Sequence, residues 1–139
     1  MKLGIVYWSG TGNTEKLAER AKETAAAKGA EVVFSDIDGI DRDAFFAADA
    51  FMIGGPAQGT EEIAEDMLDF TESIGSELSG KKVVLFGSFG WGDGAYMEDW
   101  SEKLTSKGAV MAADPVVCLQ EPDDDAFAAI DAAVDTLLA

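Results

Sequence analysis

Two hydrophobic patterns alternate along this chain, and that alternation limits its fold more than any other feature. Five short runs rich in β-branched or aromatic residues recur: Leu3 to Tyr7, Glu31 to Phe34, Ala50 to Ile53, Lys82 to Phe86 and Val116 to Leu119. Each reads as a strand, and consecutive apolar positions require cover on both of its faces. Between these runs, apolar residues return at helical spacing. They are Leu17, Ala21 and Ala25; Ile63, Met67, Phe70 and Ile74; Met97, Trp100 and Leu104; and Phe127, Ile130, Val134 and Leu137. A shorter helix is expected around Asp41 to Ala48, after the turn-prone stretch Asp36-Ile37-Asp38-Gly39. Strand-helix alternation without linker, repeat or low-complexity tract calls for an α/β fold, a parallel sheet with helices on both faces. One such domain over residues 1–139 accounts for the whole length.

Charge and rare residues narrow the chemistry. The chain has 27 Asp and Glu against 10 Lys and Arg, a formal charge of -17, and no histidine. So negative a surface repels nucleic-acid backbones and anionic lipid, and no local cluster of Lys and Arg offsets it. Without histidine, the usual imidazole base, His-containing zinc sites and the Ser-His-Asp triad are excluded. The single cysteine, Cys118, lies in Val116-Val117-Cys118-Leu119 and is expected to be a buried structural thiol. No internal disulfide can form, which fits a reducing cytoplasm. The first apolar run, Leu3 to Trp8, is too short for a signal sequence, and no later run approaches a membrane span. The expectation is a soluble, unexported protein.

In a sheet of this kind ligands bind beyond the carboxyl ends of the strands. The candidate loops are therefore Ser9 to Thr14, Gly55 to Glu61, Ser88 to Gly94 and Gln120 to Asp123. The first, Trp8-Ser9-Gly10-Thr11-Gly12-Asn13-Thr14, follows a strand and opens a helix, so free backbone amides and the positive end of the helix dipole can face an anion. A capped glycine turn would explain the two glycines alone. Four polar side chains around them read instead as a phosphate cradle. A nucleoside triphosphate loop would need a lysine after the glycines, where Asn13 stands and no lysine follows until Lys16. The dinucleotide fingerprint fails at Glu15. A single terminal phosphate on a mononucleotide fits better.

Taken together, Tyr7-Trp8-Ser9-Gly10-Thr11-Gly12-Asn13-Thr14-Glu15 and Leu85-Phe86-Gly87-Ser88-Phe89-Gly90-Trp91-Gly92-Asp93-Gly94 resemble the short-chain flavodoxins of anaerobic bacteria such as clostridia. The resemblance covers essentially the whole chain. It implies a flavodoxin-like, doubly wound five-stranded sheet in the order 2-1-3-4-5, and a non-covalently bound flavin mononucleotide (FMN). On this resemblance Ser9, Gly10, Thr11, Gly12, Asn13 and Thr14 hold the phosphate, and Trp91 packs against the isoalloxazine. Ser88, Phe89, Gly90 and Gly92 line the ring and ribityl chain, with Phe89 where the family more usually has tyrosine, and Gln120 comes from the last loop. The loop after the third strand contributes Ala57, Gln58, Gly59, Thr60 and Glu61. There the Gly59-Thr60 peptide is expected to turn its carbonyl toward flavin N5, with Glu61 at N3. Gln58 stands where close relatives carry a methionine beneath the ring, after Gly55-Pro56. Thr60-Glu61-Glu62 also has the composition of a helix start.

The function implied is that of a low-potential one-electron carrier, not an enzyme, moving between the neutral semiquinone and hydroquinone states of FMN. Such a carrier needs neither general base nor nucleophile, because the chemistry belongs to the cofactor. The resemblance further implies a monomer whose partners are redox proteins of the ferredoxin type with basic docking faces. Glu61, Glu62, Asp93, Glu98, Asp99, Glu121 and Asp123 to Asp125 would disfavour the anionic reduced ring and steer such partners. The same acidity also serves solubility or adaptation to salt. The alternative reading is an FMN-dependent reductase of the NAD(P)H or quinone type on the same fold, for which no nicotinamide-binding residues are visible. A receiver-type signalling module would need acids and a lysine where this chain has Trp8-Ser9, Gly54-Gly55 and Gln120.

Overall fold

The computed structural model describes residues 1–58, 62–90 and 94–139. The expected alternation is present. In chain order the elements are β1 (Lys2–Tyr7), α1 (Asn13–Ala27), β2 (Glu31–Asp36), α2 (Arg42–Phe46), β3 (Ala50–Gly54), β4 (Ala57–Gln58) and β5 (Glu62–Ile63). They continue with α3 (Glu65–Ser73), β6 (Lys82–Phe89), α4 (Tyr96–Ser106), β7 (Val110–Met111), β8 (Val116–Leu119) and α5 (Asp124–Leu138). The main sheet is parallel throughout, in the order β2-β1-β3-β6, with β7 and β8 both paired to β6.

Side chains alternate across this sheet with period two, which is why each strand had to be apolar at successive positions. Leu3, Ile5 and Tyr7 of β1, Met52 of β3 and Val84 and Phe86 of β6 pack against α1 and α5 through Leu17, Ala21, Ile130, Val134 and Leu137. Val6, Phe51, Ile53, Val83 and Leu85 face the other way, onto Phe45, Met67, Phe70, Met97, Trp100 and Leu104. The second layer holds a buried polar relay: the Trp100 indole N–H donates to Thr71 Oγ1 at 2.9 Å, and that hydroxyl donates to the Met67 carbonyl at 2.8 Å.

Helices α1 and α5 are also tied by charge. Arg20 makes a two-pronged contact with Asp131 at 2.9 and 2.7 Å, Thr24 Oγ1 donates to the same carboxylate at 2.6 Å, and Lys28 pairs with Asp135. The Arg20 hydrogen bonds, followed by that from Thr24, pull the Asp131 pKa down to about 2. The Arg20 guanidinium also lies 5.7 Å from the centre of the Phe127 ring.

Four local features differ from the sequence expectations. The expected fifth strand forms as β8, paired with Phe86 to Phe89, but an unexpected two-residue strand, β7, precedes it on Lys82 and Val83, with residues 112–115 between them. Four residues lie between Met111 and Val116 while two lie between their partners Val83 and Phe86, so the chain must bulge there, and Pro115 has no N–H for a ladder. β6 runs on through Phe89, which places Ser88 and Phe89 in the strand and not in the loop after it. β4 and β5 form a small antiparallel hairpin that the sequence pattern did not announce. Finally, α3 begins at Glu65, and Glu62 belongs to β5, so the acid-rich stretch around Glu62 is not the helix start. The short α2 does form, capped by Asp41, whose carboxylate accepts the Ala44 N–H at 3.2 Å.

Candidate functional site

The carboxyl ends of β1, β3, β6 and β8 surround a cleft of about 430 Å³. It is lined by Thr11, Asn13, Pro56, Ala57, Ser88, Phe89, Gly90 and Gln120. Seven of these are sequence candidates, brought together from all four loops. Pro56 is the addition. Its sequence signal was available, since a proline fixed next to Gly55 holds the chain rigid as it leaves β3, but it offered no chemistry to attract attention. Gly59, Thr60, Glu61, Trp91 and Gly92, with Asp93, lie outside the described residues.

The first loop is built by one glycine and one hydroxyl. Gly12 has φ of +93°, a conformation that other residues resist, and nothing lies within 4 Å of where its side chain would begin. This turn brings the Ser9 side chain back over the start of α1, where Ser9 Oγ accepts the Gly12 N–H at 3.0 Å and the Glu15 N–H at 3.3 Å. Ser9 therefore acts as a remote cap through its oxygen, and its O–H remains available to donate. The amides of Asn13 and Thr14, in the first turn of α1, have no intrahelical acceptor and remain for a ligand.

Thr14 has a second task. Its side chain is buried, and its Oγ1 lies 3.3 Å from Ser88 Oγ, so it links the end of the first loop to β6 beside the cleft wall. Gln58 also has a partner of its own. It is exposed, and its amide oxygen accepts the Glu65 N–H at 3.1 Å, supplying the cap that Ala64 cannot give to α3. The polar group at this position is thus tied to the helix that follows. Gln120, on the opposite rim, is the one described non-glycine residue with positive φ, at 58°.

Tyr96 is the functional neighbour that sequence reasoning missed. It sits at helical spacing among core residues, and its hydroxyl donates to the Gly55 carbonyl at 2.9 Å and approaches the Ser88 carbonyl at 3.4 Å. Nothing in the linear sequence couples positions 55 and 96. Cys118 is buried as expected, with Sγ 3.5 Å from the Gln120 carbonyl, and burial, with a smaller contribution from Asp123, pushes its thiol up to about 11. It is a protonated, inert thiol at neutral pH.

The charges sort themselves by end of the sheet. Lys2 and Lys82 stand at the amino ends of β1 and β6, with Lys81, Lys28 and Lys107 in the turns at that same end. Lys107 donates to the Glu72 and Ile74 carbonyls at the close of α3. At the ligand end, Lys16 is paired with Glu121 at 3.0 Å. There Asp36 ends β2, Glu62 opens β5, Glu98 lies in the first turn of α4, Asp124 and Asp125 open α5, and Asp123 caps α5 by accepting the Ala126 N–H at 2.9 Å. The described walls of the cleft carry no charge.

Comparison with known proteins agrees with this geometry. The flavodoxin family profile matches residues 5–132. The chain is 40% identical over 121 residues to a flavodoxin of Clostridium beijerinckii, covering 86% of this chain and 88% of the relative. It is 38% identical over 114 residues to a flavodoxin of Megasphaera elsdenii, covering 81% and 83%. The solution structure of the two-electron reduced Megasphaera elsdenii flavodoxin superposes with a TM-score of 0.84 at 34% identity, over 96% of this chain and 98% of that one. With a doubly wound parallel sheet, a glycine-turned loop opening α1 and a cleft at the switch in strand order, the chain belongs to the flavodoxin family, whose members are FMN-binding electron-transfer proteins and not enzymes.

Proposed function

We propose that this protein is a single-domain, low-potential carrier of one electron at a time, whose bound FMN works between its neutral semiquinone and hydroquinone states. The observation that carries the reading is the cleft itself. It joins an anion-ready helix start, at Thr11 and Asn13, to an uncharged slot walled by Pro56, Ala57, Phe89 and Gly90. Its volume of about 430 Å³ falls within the range of pockets that enclose small ligands. FMN supplies the redox chemistry, and the chain sets its energetics.

In this reading the amides of Gly10, Thr11, Asn13 and Thr14 and the side chains of Thr11 and Asn13 bind the phosphate without any lysine, because the Gly12 turn and Ser9 arrange the donors before the ligand arrives. Ala57, Phe89 and Gly90 flank the ring, with Gln120 on the rim. Gly59, Thr60, Glu61, Trp91 and Gly92 complete the set on the family resemblance. Among the described residues the wall gives no counterion to a negative ring, and the acids at the ligand end oppose it further, so the second reduction is made harder. That is the physical basis for a low potential.

The same acids suit weak encounters with basic faces of ferredoxin-type donors and acceptors in the cytoplasm, with the carrier acting as a monomer. Among the described residues no helix is long and apolar enough to cross a membrane. The reading is tested by loading the protein with FMN and reducing it stepwise while recording the visible spectrum. A long-wavelength neutral radical band midway is expected. Direct passage from oxidised to fully reduced flavin, or steady NAD(P)H oxidation by the protein alone, would overturn it.

A further inference from the structure

We infer that Tyr96 is a positioning residue of the flavin cleft, holding the wall that follows β3 against the wall at the end of β6 and thereby setting both FMN affinity and redox potential. The inference rests on the proposed function and deepens it.

The contact occurs where the β3–β6 pairing runs out. Gly54 is the last residue of β3 and pairs with Phe86, and the next amide, that of Gly55, still donates to the Phe86 carbonyl at 3.0 Å. From this point the two strands must separate to open the cleft. The Tyr96 hydroxyl stands at that fork. It is buried, only 2% exposed, and is directed at the Gly55 carbonyl on one side and the Ser88 carbonyl on the other.

Residue 87 makes the arrangement possible. A side chain at Gly87 would begin 2.0 Å from the Gly55 carbonyl oxygen and 2.4 Å from the Tyr96 hydroxyl, so these three groups meet only because position 87 has none. The residues that line the cleft are the immediate successors of the clamped groups. Pro56 and Ala57 follow Gly55, and Phe89 and Gly90 follow Ser88. Proline transmits the constraint, since its fixed φ leaves little freedom between the held carbonyl and Ala57. Tyr96 itself opens α4 and is not one of the residues lining the cleft, so it acts through the Gly55 and Ser88 backbone and not on the ligand.

Tyr96→Phe removes the donor and keeps the ring. Losing one preorganising hydrogen bond of ordinary strength is expected to weaken FMN binding roughly three- to tenfold, and riboflavin binding by the same factor. The two one-electron potentials of the loaded protein should move by unequal amounts. In the apoprotein, amide exchange at Ala57 and Phe89 should quicken while exchange in the α1–α5 layer does not. Unchanged affinity and potentials, even with a lower melting temperature, would overturn the inference and leave Tyr96 a core residue only.

A second perturbation covers the case in which Tyr96→Phe does not fold. Fluorotyrosine incorporated in a Tyr7→Phe background, at mildly acidic pH, keeps the shape and strengthens the donor at position 96 alone, because Tyr7 and Tyr96 are the two tyrosines. The potentials should then shift in the sense opposite to that of a lost hydrogen bond, with FMN bound at least as tightly. No shift would overturn the inference. Failure of the unmodified apoprotein to bind FMN would instead sink the function on which the inference rests, so the two failures are distinguishable.

Discussion

Replacing Thr71 by valine should destabilise the protein by far more than the loss of one hydroxyl on a surface would. Thr71 and Trp100 are both 0% exposed, and the Thr71 oxygen is the acceptor for the indole N–H at 2.9 Å. Valine has the same shape and a similar helix propensity, so neither packing nor α3 itself is disturbed. What changes is that the indole N–H is left buried without a partner, at a cost of about 2 kcal/mol. The Met67 carbonyl, by contrast, keeps its place in the helical ladder. With an unfolding entropy of about 2.1 cal/mol/K per residue, such a loss lowers the melting temperature of a chain of 139 residues by roughly 7 °C. The assay is thermal and urea unfolding of the apoprotein followed by near-ultraviolet circular dichroism, with an unchanged urea slope showing that only stability has moved. Because the cost lies in the orphaned donor, Thr71→Val should be close to neutral once Trp100→Phe has removed that donor, a coupling of about 2 kcal/mol in the double-mutant cycle. Equal penalties in both backgrounds would refute the reasoning.

Three other outcomes are expected. Gly12→Ala should weaken FMN binding about tenfold, since the strain of about 1–2 kcal/mol is purely conformational where nothing crowds the side chain, and Gly12→Asn should weaken it less; calorimetric titration with FMN measures both. The folded-state pKa of Asp131 lies below its unfolded value, so its contribution to stability is fully present above about pH 4 and is lost as pH falls toward about 2; urea midpoints across that window should decline less steeply in Asp131→Asn. Cys118 should resist iodoacetamide in the native protein at neutral pH and react promptly in urea, as mass spectrometry of the alkylated chain would record.

How far the sequence could be read depended on whether a feature was local. The principal strands and the amphipathic helices were legible because period two and period 3.6 are written over several consecutive residues. The hairpin β4–β5 was not, for strands of two residues have no period to recognise. The start of α3 was misplaced because acids near Glu62 imitate a helix opening, whereas the true start at Glu65 takes its cap from Gln58, seven positions upstream. Thr14's contact with Ser88, 74 residues away, left no signal in the sequence. Tyr96 had only the signature of a core residue, since its hydroxyl matters through a carbonyl 41 positions earlier. The strand after Pro115 was read with its observed bounds, Val116 to Leu119, whereas the two-residue β7 before it was too short to show a period.

The one-ended placement of charge has a consequence for motion as well as for binding. Lys2, Lys28, Lys81, Lys82 and Lys107 bring positive charge to the amino end of the sheet, partly offset by Glu31 and Asp135. Asp36, Glu98, Asp124 and Asp125 add negative charge at the other end, so charge is unevenly divided along the sheet. In the field of an approaching cationic protein the molecule experiences a torque before any surfaces touch, and it rotates until the cleft leads. The parallel strand direction is what makes this possible, since it gathers every ligand loop at one end and leaves the other free for lysines. Orientation in flight thus follows from topology.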